Sequence, residues 1–281
     1  MLKGAPVAKA ILDQVQLDVQ HLHSTPHLGI VLIGDDEGSL SYIGRKKAAA
    51  EHVGIKCSLY HLPEKTSQQE LLVLLERLNG DKDTTGYIVQ LPLPSHIDVS
   101  LVFQTIQREK DVDGFHPHNI GELFLHADES TYLPAATSRA VMKLFEYYNI
   151  PLAGKEVCVL GKGPVVGRPL ALELLHQGAT VTVCHSRTID AHKHIAAADI
   201  LISAVGRPHM TDTRDMKQGS IAVDVGFFKK DGKIYGDILP PSTESMLGGF
   251  VPVPGGIGPI TVAVLMENVV KAHKMQYPSL N

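Results

Sequence analysis

Apolar residues in the first half of the chain recur at two spacings, one typical of amphipathic helices and one typical of buried strands. The helical spacing predicts helices over residues 6–23, from Ser39 onwards, over residues 66–78 and over residues 99–107. Short apolar runs between them predict strands over residues 28–33, 57–62 and 87–91. Because strands and helices alternate, we expect this half to be an α/β domain.

Polar residues ahead of two of these helices have the pattern of helix caps. Ser39 can cap the helix that carries Tyr42 and Lys46, and Thr66 with Gln69 forms a capping-box pattern. Such caps satisfy backbone N–H groups that the first turn of a helix leaves unpaired. We therefore expect these helices to begin just after Ser39 and Thr66.

The pattern changes in residues 155–188, which predict one βαβ unit around a glycine-rich turn. Gly161 lets the chain turn off the first strand, Gly163 lets the backbone approach a ligand, and Gly167 permits close packing of the following helix. The first N–H groups of that helix then point at an anion, as in dinucleotide-binding folds. The spacing of the glycines is one residue longer than the commonest fingerprint, and a glycine turn without a ligand is the alternative interpretation.

The end of the second strand of this unit favours NADP over NAD. NAD-specific folds usually place an acid there to bind the ribose 2′-hydroxyl. This chain has Ser186 and Arg187 instead, and Lys162 lies within the glycine turn. Charge-assisted hydrogen bonds from these residues suit a 2′-phosphate. The alternative is that Lys162 and Arg187 are solvated surface charges, as most such side chains are.

The remaining pattern completes a second α/β half. It predicts a linking helix at residues 137–148, strands at 200–205 and 220–225, a hairpin turn at 230–233, a constrained proline- and glycine-rich loop at 250–259 and a last helix at 261–273. A chain of 281 residues exceeds the size at which one core usually stops growing. We therefore predict two domains, one formed by residues 1–136 with residues 261–281 returning to it, and one formed by residues 137–260.

Composition disfavours several classes of function. The net charge of −4 with no basic block argues against nucleic acid as a partner. No apolar run approaches membrane-spanning length, so we expect no membrane contact and a cytoplasmic location. Cys57, Cys158 and Cys184 are too scattered for a disulfide framework, which fits a reducing compartment. His116 and His118 have no third ligand at suitable spacing, so we assign no metal.

Tyr42 and Lys46 lie one helical turn apart, so their side chains can face one ligand. A Tyr-x-x-x-Lys pair also occurs in short-chain dehydrogenases, but there it follows the glycine turn, whereas here it precedes the turn. The alternative is an interfacial tyrosine beside a solvated lysine. Gln90 adds a polar side chain at the end of a predicted strand, where two prolines stop the ladder and where ligands gather in open α/β sheets.

A series of motifs follows the order found in one known family. They are Ser39-x-x-Tyr42-x-x-x-Lys46, Val89-Gln90-Leu91-Pro92-Leu93-Pro94, Lys110-Asp111-Val112-Asp113-Gly114, the turn at 161–167, Cys184-His185-Ser186, Asp224-Val225-Gly226 and Pro252-Val253-Pro254-Gly255-Gly256-Ile257-Gly258-Pro259. Together they resemble the bifunctional methylenetetrahydrofolate dehydrogenase/cyclohydrolase family over nearly the whole chain.

The resemblance implies a folate-binding α/β domain, a Rossmann-type NADP-binding domain and an active site in the cleft between them. It implies NADP-linked oxidation of 5,10-methylenetetrahydrofolate to the methenyl form and hydrolysis of that product to 10-formyltetrahydrofolate. These reactions belong to one-carbon metabolism and purine biosynthesis. The family also suggests a homodimer, with the nucleotide domain as the contact.

Matched by motif, Lys46 is the catalytic lysine, Gln90 its hydrogen-bonding partner, Tyr42 the ring that stacks on the folate, and Asp113 the carboxylate that holds the pterin. The other folate-binding residues implied are Leu91, Pro92, Pro254, Gly255 and Gly256. The cofactor-binding residues implied are Gly161, Lys162, Gly163, Val166, Gly167, Ser186, Arg187, Thr137 and Ile257. A cationic methenyl substrate lowers the pKa of a neighbouring lysine, and the N–H donors of a pterin suit an ionised Asp113, although an acid in an Asp-Gly turn is also common.

The chain departs from the family pattern at a few positions. Ala135-Ala136-Thr137-Ser138 stands where the family has Pro-Cys-Thr-Pro, Gly163 stands where serine is usual, and Thr85 stands where aspartate is common. The first two departures bear on the placement and affinity of the cofactor. Two other functions remain open, a dehydrogenase of the shikimate or amino-acid type and a non-catalytic NADP-binding module, and the intact set of Tyr42, Lys46, Gln90 and Asp113 argues against both.

Overall fold

The computed structural model describes residues 1–230, 232–240 and 247–277, with the backbone alone described for Lys230. The chain divides into two compact units. We call Ala10–Ala136 with Val262–Asn281 the lysine unit, and Met1–Lys9 with Thr137–Thr261 the glycine-turn unit. Each unit contains a parallel sheet flanked by helices, which confirms the predicted α/β fold in two parts. This division groups residues 1–9 with the glycine-turn unit, whereas the predicted boundary groups them with residues 10–136.

The lysine unit is built on a three-stranded parallel sheet in the order β2-β1-β3. Its elements are α1 (Gly4–Gln20, which begins in the other unit), β1 (His27–Ile33), α2 (Glu37–Val53), β2 (Lys56–Leu62), α3 (Gln68–Gly80), β3 (Gly86–Val89), α4 (Val99–Thr105), α5 (Pro117–Phe124) and a 3₁₀ turn (Glu129–Thr131). Successive side chains of a strand point to opposite faces. Leu28, Ile30 and Leu32 accordingly join one buried core with residues of α2 and the last helix, while Val31 and Ile33 join another with residues of α3 and α4.

The glycine-turn unit is built on a five-stranded parallel sheet in the order β10-β7-β6-β4-β5. Its elements are α6 (Ala136–Tyr147), β4 (Glu156–Leu160), α7 (Gly167–His176), β5 (Thr180–Cys184), α8 (Ala191–Ala197), β6 (Ile200–Ser203), β7 (Ile221–Asp224), β8 (Phe228–Lys230), β9 (Lys233–Tyr235), β10 (Gly249–Val251) and the start of α9 (Ile257–Gln276). The strands β4, β6 and β7 are short and mostly apolar, as expected of strands that are covered on both faces.

Both predicted helix caps are shifted along the chain. Asp36 caps α2, because its carboxylate accepts the N–H of Ser39 at 2.7 Å. Ser39 therefore lies inside the first turn, and its predicted role as the cap is wrong. The capping box before α3 is formed by Ser67 and Glu70 rather than by Thr66 and Gln69. Glu70 decides this register, because its carboxylate accepts both the N–H and the hydroxyl of Ser67.

The predicted loop at 250–259 is shorter than expected. Its first residues belong to β10, which pairs with β7, and its last residues belong to α9, which begins at Ile257 and not at Thr261. Only residues 252–256 connect the two elements. The predicted hairpin corresponds to the antiparallel pair of β8 and β9, and Asp231 of its turn lies outside the described residues. The short helices α5 and α8 were not predicted.

Candidate active site

The sheet of the lysine unit has a point at which its winding reverses. The chain runs from β1 to β2 on one side and then returns to β3 on the other side. Ligands of open α/β sheets bind beyond the carboxyl ends of the strands at such a switch point. Gln90 follows β3 directly, and its N–H donates to the carbonyl of Val31 in β1 at 2.8 Å. The backbone of Gln90 is therefore fixed at the switch point between β1 and β3.

Lys46 meets Gln90 at this position. The lysine lies on α2 with only 7% of its surface exposed, and its ammonium nitrogen donates to Oε1 of Gln90 at 2.9 Å. The amide of Gln90 is oriented by a second bond, from its Nε2 to the carbonyl of Leu91 at 2.8 Å. Gln90 therefore presents its oxygen to the lysine and holds the amine in place.

Burial changes the acid–base behaviour of Lys46. Loss of hydration lowers the pKa of Lys46, and the nearby carboxylate of Asp113 opposes that shift. A cationic substrate was predicted to lower the pKa of Lys46, and in this structure burial lowers that pKa without a substrate. A lowered pKa makes the neutral amine easier to form, so Lys46 has the properties of an acid/base group.

Asp113 is the second titratable group of this cluster. It is half-buried in the turn after the β-bridge residue Asp111, and burial raises the pKa of Asp113 to about 6. The positive charge of Lys46 lowers the pKa of Asp113 and so opposes this rise, whereas the neighbouring carboxyl of Asp111 adds to the rise. Asp111 is fully buried and accepts bonds from the N–H groups of Gly114 and His116 and from the side chain of Asn119. The turn that carries Asp113 is therefore held by the buried carboxylate of Asp111, and this supporting role was not predicted.

Tyr42 and Leu91 border the same cluster. Tyr42 is half-buried one turn before Lys46, and the guanidinium carbon of Arg45 lies 5.8 Å from the centroid of its ring. The hydroxyl of Ser39 donates to the carbonyl of Leu91 at 3.3 Å and to Asp36 at 2.9 Å, so the start of α2 is tied to the segment that follows β3. Leu91 is half-buried, and Pro92, which follows a cis peptide bond, is exposed.

The glycine turn after β4 has the close contacts that its sequence predicts. A Cβ on Gly161 would lie 2.3 Å from the carbonyl oxygen of Ala204, and the φ of Gly161 is +109°. A Cβ on Gly167 would lie 1.9 Å from the carbonyl oxygen of Gly161. A side chain at either position would displace the backbone of the turn. Gly163 is exposed and has open space around it, so its place in the turn leaves room for a ligand.

The residues around this turn fit a phosphorylated dinucleotide. The ends of β4 and β5 are adjacent, because Leu160 pairs with Cys184 and the N–H of Gly161 donates to the carbonyl of Cys184. Lys162 follows β4, and Ser186 and Arg187 follow β5; all three are exposed. Lys162 and Arg187 therefore extend from neighbouring loops at the carboxyl ends of β4 and β5, where a 2′-phosphate is bound in dinucleotide folds.

The other residues predicted to bind folate or cofactor also lie in the glycine-turn unit. Val166 precedes α7, Thr137 lies in the first turn of α6, and Ile257 begins α9. Pro254 and Gly255 are exposed in the 252–256 connection, whereas Gly256 is buried. The division of the chain thus groups Pro254, Gly255 and Gly256 with the nucleotide-type sheet and not with Lys46.

Comparison with known proteins assigns the chain to a family. The catalytic-domain profile of tetrahydrofolate dehydrogenase/cyclohydrolase matches residues 2–113, and the NAD(P)-binding-domain profile of the same family matches residues 135–277. The chain belongs to the tetrahydrofolate dehydrogenase/cyclohydrolase family. This confirms the resemblance stated from the motifs.

Individual members of the tetrahydrofolate dehydrogenase/cyclohydrolase family are similar over their full length. The bifunctional protein FolD of Hydrogenobaculum sp. (strain Y04AAS1) is 42% identical and covers 98% of this chain, with 99% of its own length matched. The crystal structure of the bifunctional enzyme FolD from Campylobacter jejuni has a TM-score of 0.91 at 40% identity and covers 98% of each chain. The Trypanosoma brucei enzyme, solved with NADP cofactor and an inhibitor, has a TM-score of 0.92 at 32% identity and covers 98% of this chain and 97% of its own.

The departures from the family pattern have local explanations. The hydroxyl of Thr85 accepts the N–H of His27 at 2.9 Å, so Thr85 joins the starts of β3 and β1. Ala135 and Ala136 are buried, and the hydroxyl of Ser138 donates to Glu173 at 2.8 Å. These positions therefore serve the packing and bonding of their own units.

His116 and His118 are engaged in local hydrogen bonds. Nδ1 of His116 accepts the N–H of His118 and caps α5, and Nε2 of His118 lies 2.8 Å from a guanidinium nitrogen of Arg108. Over the described residues, no three His, Cys, Asp or Glu side chains are grouped so that they could hold a metal ion. In the same ranges no helix is long and apolar enough to cross a membrane.

Proposed function

We propose that the protein oxidises 5,10-methylenetetrahydrofolate with NADP and hydrolyses the resulting methenyl form to 10-formyltetrahydrofolate. The observation that carries this proposal is the buried Lys46 bonded to Gln90 at the switch point of a family catalytic domain. A non-catalytic binding module would have no need for a desolvated lysine whose pKa is lowered. A shikimate-type dehydrogenase would have no need for a folate-family catalytic domain.

Hydrolysis places two demands on one proton carrier. A water molecule adds to the methenyl carbon and must lose a proton, and a ring nitrogen must gain a proton as its bond to that carbon breaks. The neutral amine of Lys46 takes the proton of the water, and the ammonium so formed gives it to the ring nitrogen. The hydroxyl left on the carbon then loses its proton to solvent and becomes the formyl oxygen. Gln90 cannot titrate, and it acts by holding the nitrogen of Lys46.

Dehydrogenation demands positioning more than proton transfer. NADP supplies the acceptor for the hydride that leaves the methylene carbon. We assign Asp113 to the N–H donors of the pterin and Tyr42 to stacking on its ring, because one is a partly exposed carboxylate and the other a half-buried ring on the helix face of Lys46. Leu91, Pro92, Pro254, Gly255 and Gly256 stay predictions as folate contacts.

We assign NADP as the cofactor on the basis of the glycine-turn unit. Lys162, Ser186 and Arg187 offer two cations and a hydroxyl to a 2′-phosphate, and the sequence that follows β5 begins with no acid that would favour NAD. The similar Trypanosoma brucei enzyme is described as bound to NADP. Gly161, Gly163, Val166, Gly167, Thr137 and Ile257 complete the predicted cofactor contacts. Residues 137–260 are accordingly proposed as the NADP-binding domain, and residues 1–136 with 261–281 as the catalytic domain.

The homodimer, the cytoplasmic location and the link to purine biosynthesis stay predictions. Sedimentation of the purified protein tests the first of them. If substitutions on the surface of the glycine-turn unit leave the oligomeric state unchanged, the contact suggested for the dimer is wrong.

An absorbance assay tests both reactions in one cuvette. Purified protein is mixed with methylenetetrahydrofolate and NADP, and the bands of NADPH and of the methenyl product are followed together. We expect NADPH to accumulate while the methenyl band rises and then decays faster than it does without protein. NADPH formation without accelerated decay of the methenyl band would mean that the protein is a dehydrogenase without hydrolase activity. Turnover of shikimate, or NADP binding without any turnover, would establish one of the alternatives instead.

A further inference from the structure

A buried carboxylate in the glycine-turn unit organises the turn that follows β6. Asp237 is 1% exposed, and its carboxylate accepts the N–H groups of Val205 at 2.5 Å, Gly206 at 3.2 Å and Arg207 at 2.8 Å. The hydroxyl of Ser203 also donates to it at 3.2 Å. Successive N–H groups that converge in this way form an anion-binding nest. Here the anion is a side chain of the protein itself.

Neighbouring residues hold Asp237 in this position. Asp224, at the end of β7, accepts the N–H of Asp237 at 3.0 Å and that of Ile238 at 2.9 Å. Two glycines provide the space, because a Cβ on Gly226 would lie 2.1 Å from the carboxylate of Asp237 and one on Gly236 would lie 2.0 Å from the carboxylate of Asp224. The Asp224-Val225-Gly226 motif and the Gly236-Asp237 pair therefore interlock.

The turn that Asp237 holds lies beside the glycine turn. In the order β10-β7-β6-β4-β5, the winding reverses between β4 and β6, so this is the switch point of the sheet. The carbonyl oxygen of Ala204 approaches the Cβ position of Gly161 to within 2.3 Å, and the N–H of Ala204 donates to Leu160 at 2.8 Å. The 204–207 turn is thus one wall of the crevice in which a dinucleotide binds, and the glycine turn is the other.

We propose that Asp237 is a positioning residue for the nicotinamide nucleotide, acting through the 204–207 turn that its carboxylate holds against the glycine turn. The inference rests on the proposed function only in that it takes NADP as the ligand of this crevice. Asp237 touches no ligand itself. Its carboxylate sets the shape of one wall of the crevice. Asp224 holds the backbone of Asp237 in place, and Gly226 and Gly236 leave space for the two carboxylates.

The acceptor must be a carboxylate because it serves several donors at once. Both oxygens accept backbone N–H groups, and charge-assisted bonds to such groups are the strong ones. An asparagine at position 237 would direct an NH₂ group at one of these donors. The turn would then have to move to satisfy its N–H groups, because buried donors without a partner are costly.

Asp199 provides a matched control at the amino ends of the strands of the same sheet, opposite to the crevice. Its carboxylate accepts the N–H of Glu156 at 2.9 Å and the ammonium of Lys217 at 3.1 Å, near the amino ends of β4 and β6. Asp199→Asn therefore removes a similar carboxylate from the same sheet without touching the crevice. Its effect measures what a general loss of stability does to the cofactor site.

The test compares Asp237→Asn with Asp199→Asn and the unchanged protein. The Kd for NADP is measured by calorimetry, and the hydrolysis of methenyltetrahydrofolate, which does not use NADP, is measured by absorbance. We expect Asp237→Asn to raise the Kd for NADP by about tenfold, the effect of losing roughly one charge-assisted bond, with hydrolysis preserved. Asp199→Asn is expected to leave the Kd for NADP unchanged.

Two results would overturn the inference. One is an unchanged Kd for NADP in a folded Asp237→Asn protein, and the other is an equal rise of that Kd in the Asp199→Asn control. If Asp237→Asn does not fold, Ser203→Ala removes a single donor to the same carboxylate and must raise the Kd by a smaller factor for the inference to hold. An unchanged protein that binds NADP but turns over no folate would refute the proposed function and leave this test intact.

Discussion

The switch points of the two units have the same strand connection, but one is occupied by titratable side chains and the other is lined by backbone turns. In the lysine unit, β1 lies between β2 and β3, and in the glycine-turn unit, β4 lies between β5 and β6. The first switch point is occupied by two titratable side chains whose pKa values are shifted by burial, Lys46 and Asp113. The second is lined by backbone turns that approach each other closely at Gly161 and Gly167, and its cations are exposed.

This difference follows from what each site is proposed to do. Proton transfer needs a group whose pKa is moved towards the working pH, and burial moves it. Recognition of phosphates needs N–H groups and cations that can reach an anion, which small residues and exposed loops provide. The same topology can therefore carry chemistry or binding, depending on whether its charges are buried or exposed.

Substitution of Lys46 gives the largest expected effect and tests the chemical side of the comparison. We expect Lys46→Met to keep the fold and NADP binding, because a methionine fills most of the same space. Hydrolysis is expected to fall by at least about 100-fold, the usual contribution of a positioned acid/base group. Dehydrogenase activity is expected to be partly retained. The measurement is the decay of methenyltetrahydrofolate, corrected for the spontaneous reaction.

Lys47→Met is the matched control, since Lys47 is the next residue on α2 and is less buried than Lys46. It should hydrolyse the substrate as the unchanged protein does. Near-normal hydrolysis by Lys46→Met would remove the lysine from the mechanism and leave Tyr42 and Lys46 as an ordinary interfacial pair.

Substitution of Asp113 should have the next largest effect, on both reactions together. Asp113→Ala leaves the donors of a bound pterin unpaired, at a cost of about 1–3 kcal/mol. We expect KM for folate to rise in both assays while the Kd for NADP stays the same. Asp35→Ala removes a carboxylate whose side chain is 82% exposed and serves as control. If only one activity fell while folate affinity held, the role of Asp113 as a pterin anchor would be wrong.

The raised pKa of Asp113 makes this interaction depend on pH. Because the pKa of Asp113 is raised from 3.8 to about 6, the carboxylate that accepts pterin donors forms only as the pH rises through about 6. Folate affinity should improve over that interval, and Asp113→Asn should remove the dependence. The same shift in pKa acts on stability with the opposite sign. Its stabilising contribution is present below the unfolded pKa of 3.8 and is lost as pH rises through about 6. Asp113→Asn should therefore raise the Tm more at pH 8 than at pH 5.

Much of the fold could be predicted because its signals are local. Apolar runs such as Val157 to Leu160 mark buried strands, and glycines such as Gly161 and Gly167 mark turns that have no room for side chains. The caps at Asp36 and Ser67 were missed because neighbouring polar residues compete for one position, and the structure decides by which side chain reaches which N–H group.

The lysine cluster could be predicted only in part. The spacing of Tyr42 and Lys46 and the strand end at Gln90 are visible in the sequence, but the bond that joins Lys46 to Gln90 depends on tertiary structure. Asp111 and Asp237 were missed as functional supports. Their signal is weak, since Asp is common in turns, and only the structure shows that these carboxylates are buried among several donors.

Removal of the exposed cations tests the binding side of the comparison, with a smaller expected effect. We expect Lys162→Ala and Arg187→Ala each to lower the preference for NADP over NAD by about tenfold, the effect of one charge-assisted hydrogen bond. Lys155→Ala, at the amino end of β4, should leave the preference unchanged. The measurement is kcat/KM with each cofactor. Equal use of NAD and NADP by the unchanged protein would refute the assignment of these residues.

The smallest expected effect concerns Gly163, where the family usually has serine. A side chain at Gly163 meets nothing within 4 Å, and the φ of this residue is not in the left-handed region, so Gly163→Ser fits the turn without strain. If the cofactor occupies the open space beside residue 163, the new hydroxyl can donate one neutral hydrogen bond to it. The Kd for NADP should then fall by about fivefold, which corresponds to roughly 1 kcal/mol. The Tm should stay the same or rise slightly, because replacing glycine also restricts the unfolded chain.

Gly167→Ser is the opposing control within the same turn, since its Cβ would lie 1.9 Å from the backbone of Gly161. It should lower both the Tm and the affinity for NADP, because the first turn of α7 can no longer approach Gly161. Comparable results for the two substitutions would mean that the turn tolerates side chains throughout. The backbone of the glycine-turn unit would then not define its binding site, and the contrast with the buried side chains of the lysine unit would fail.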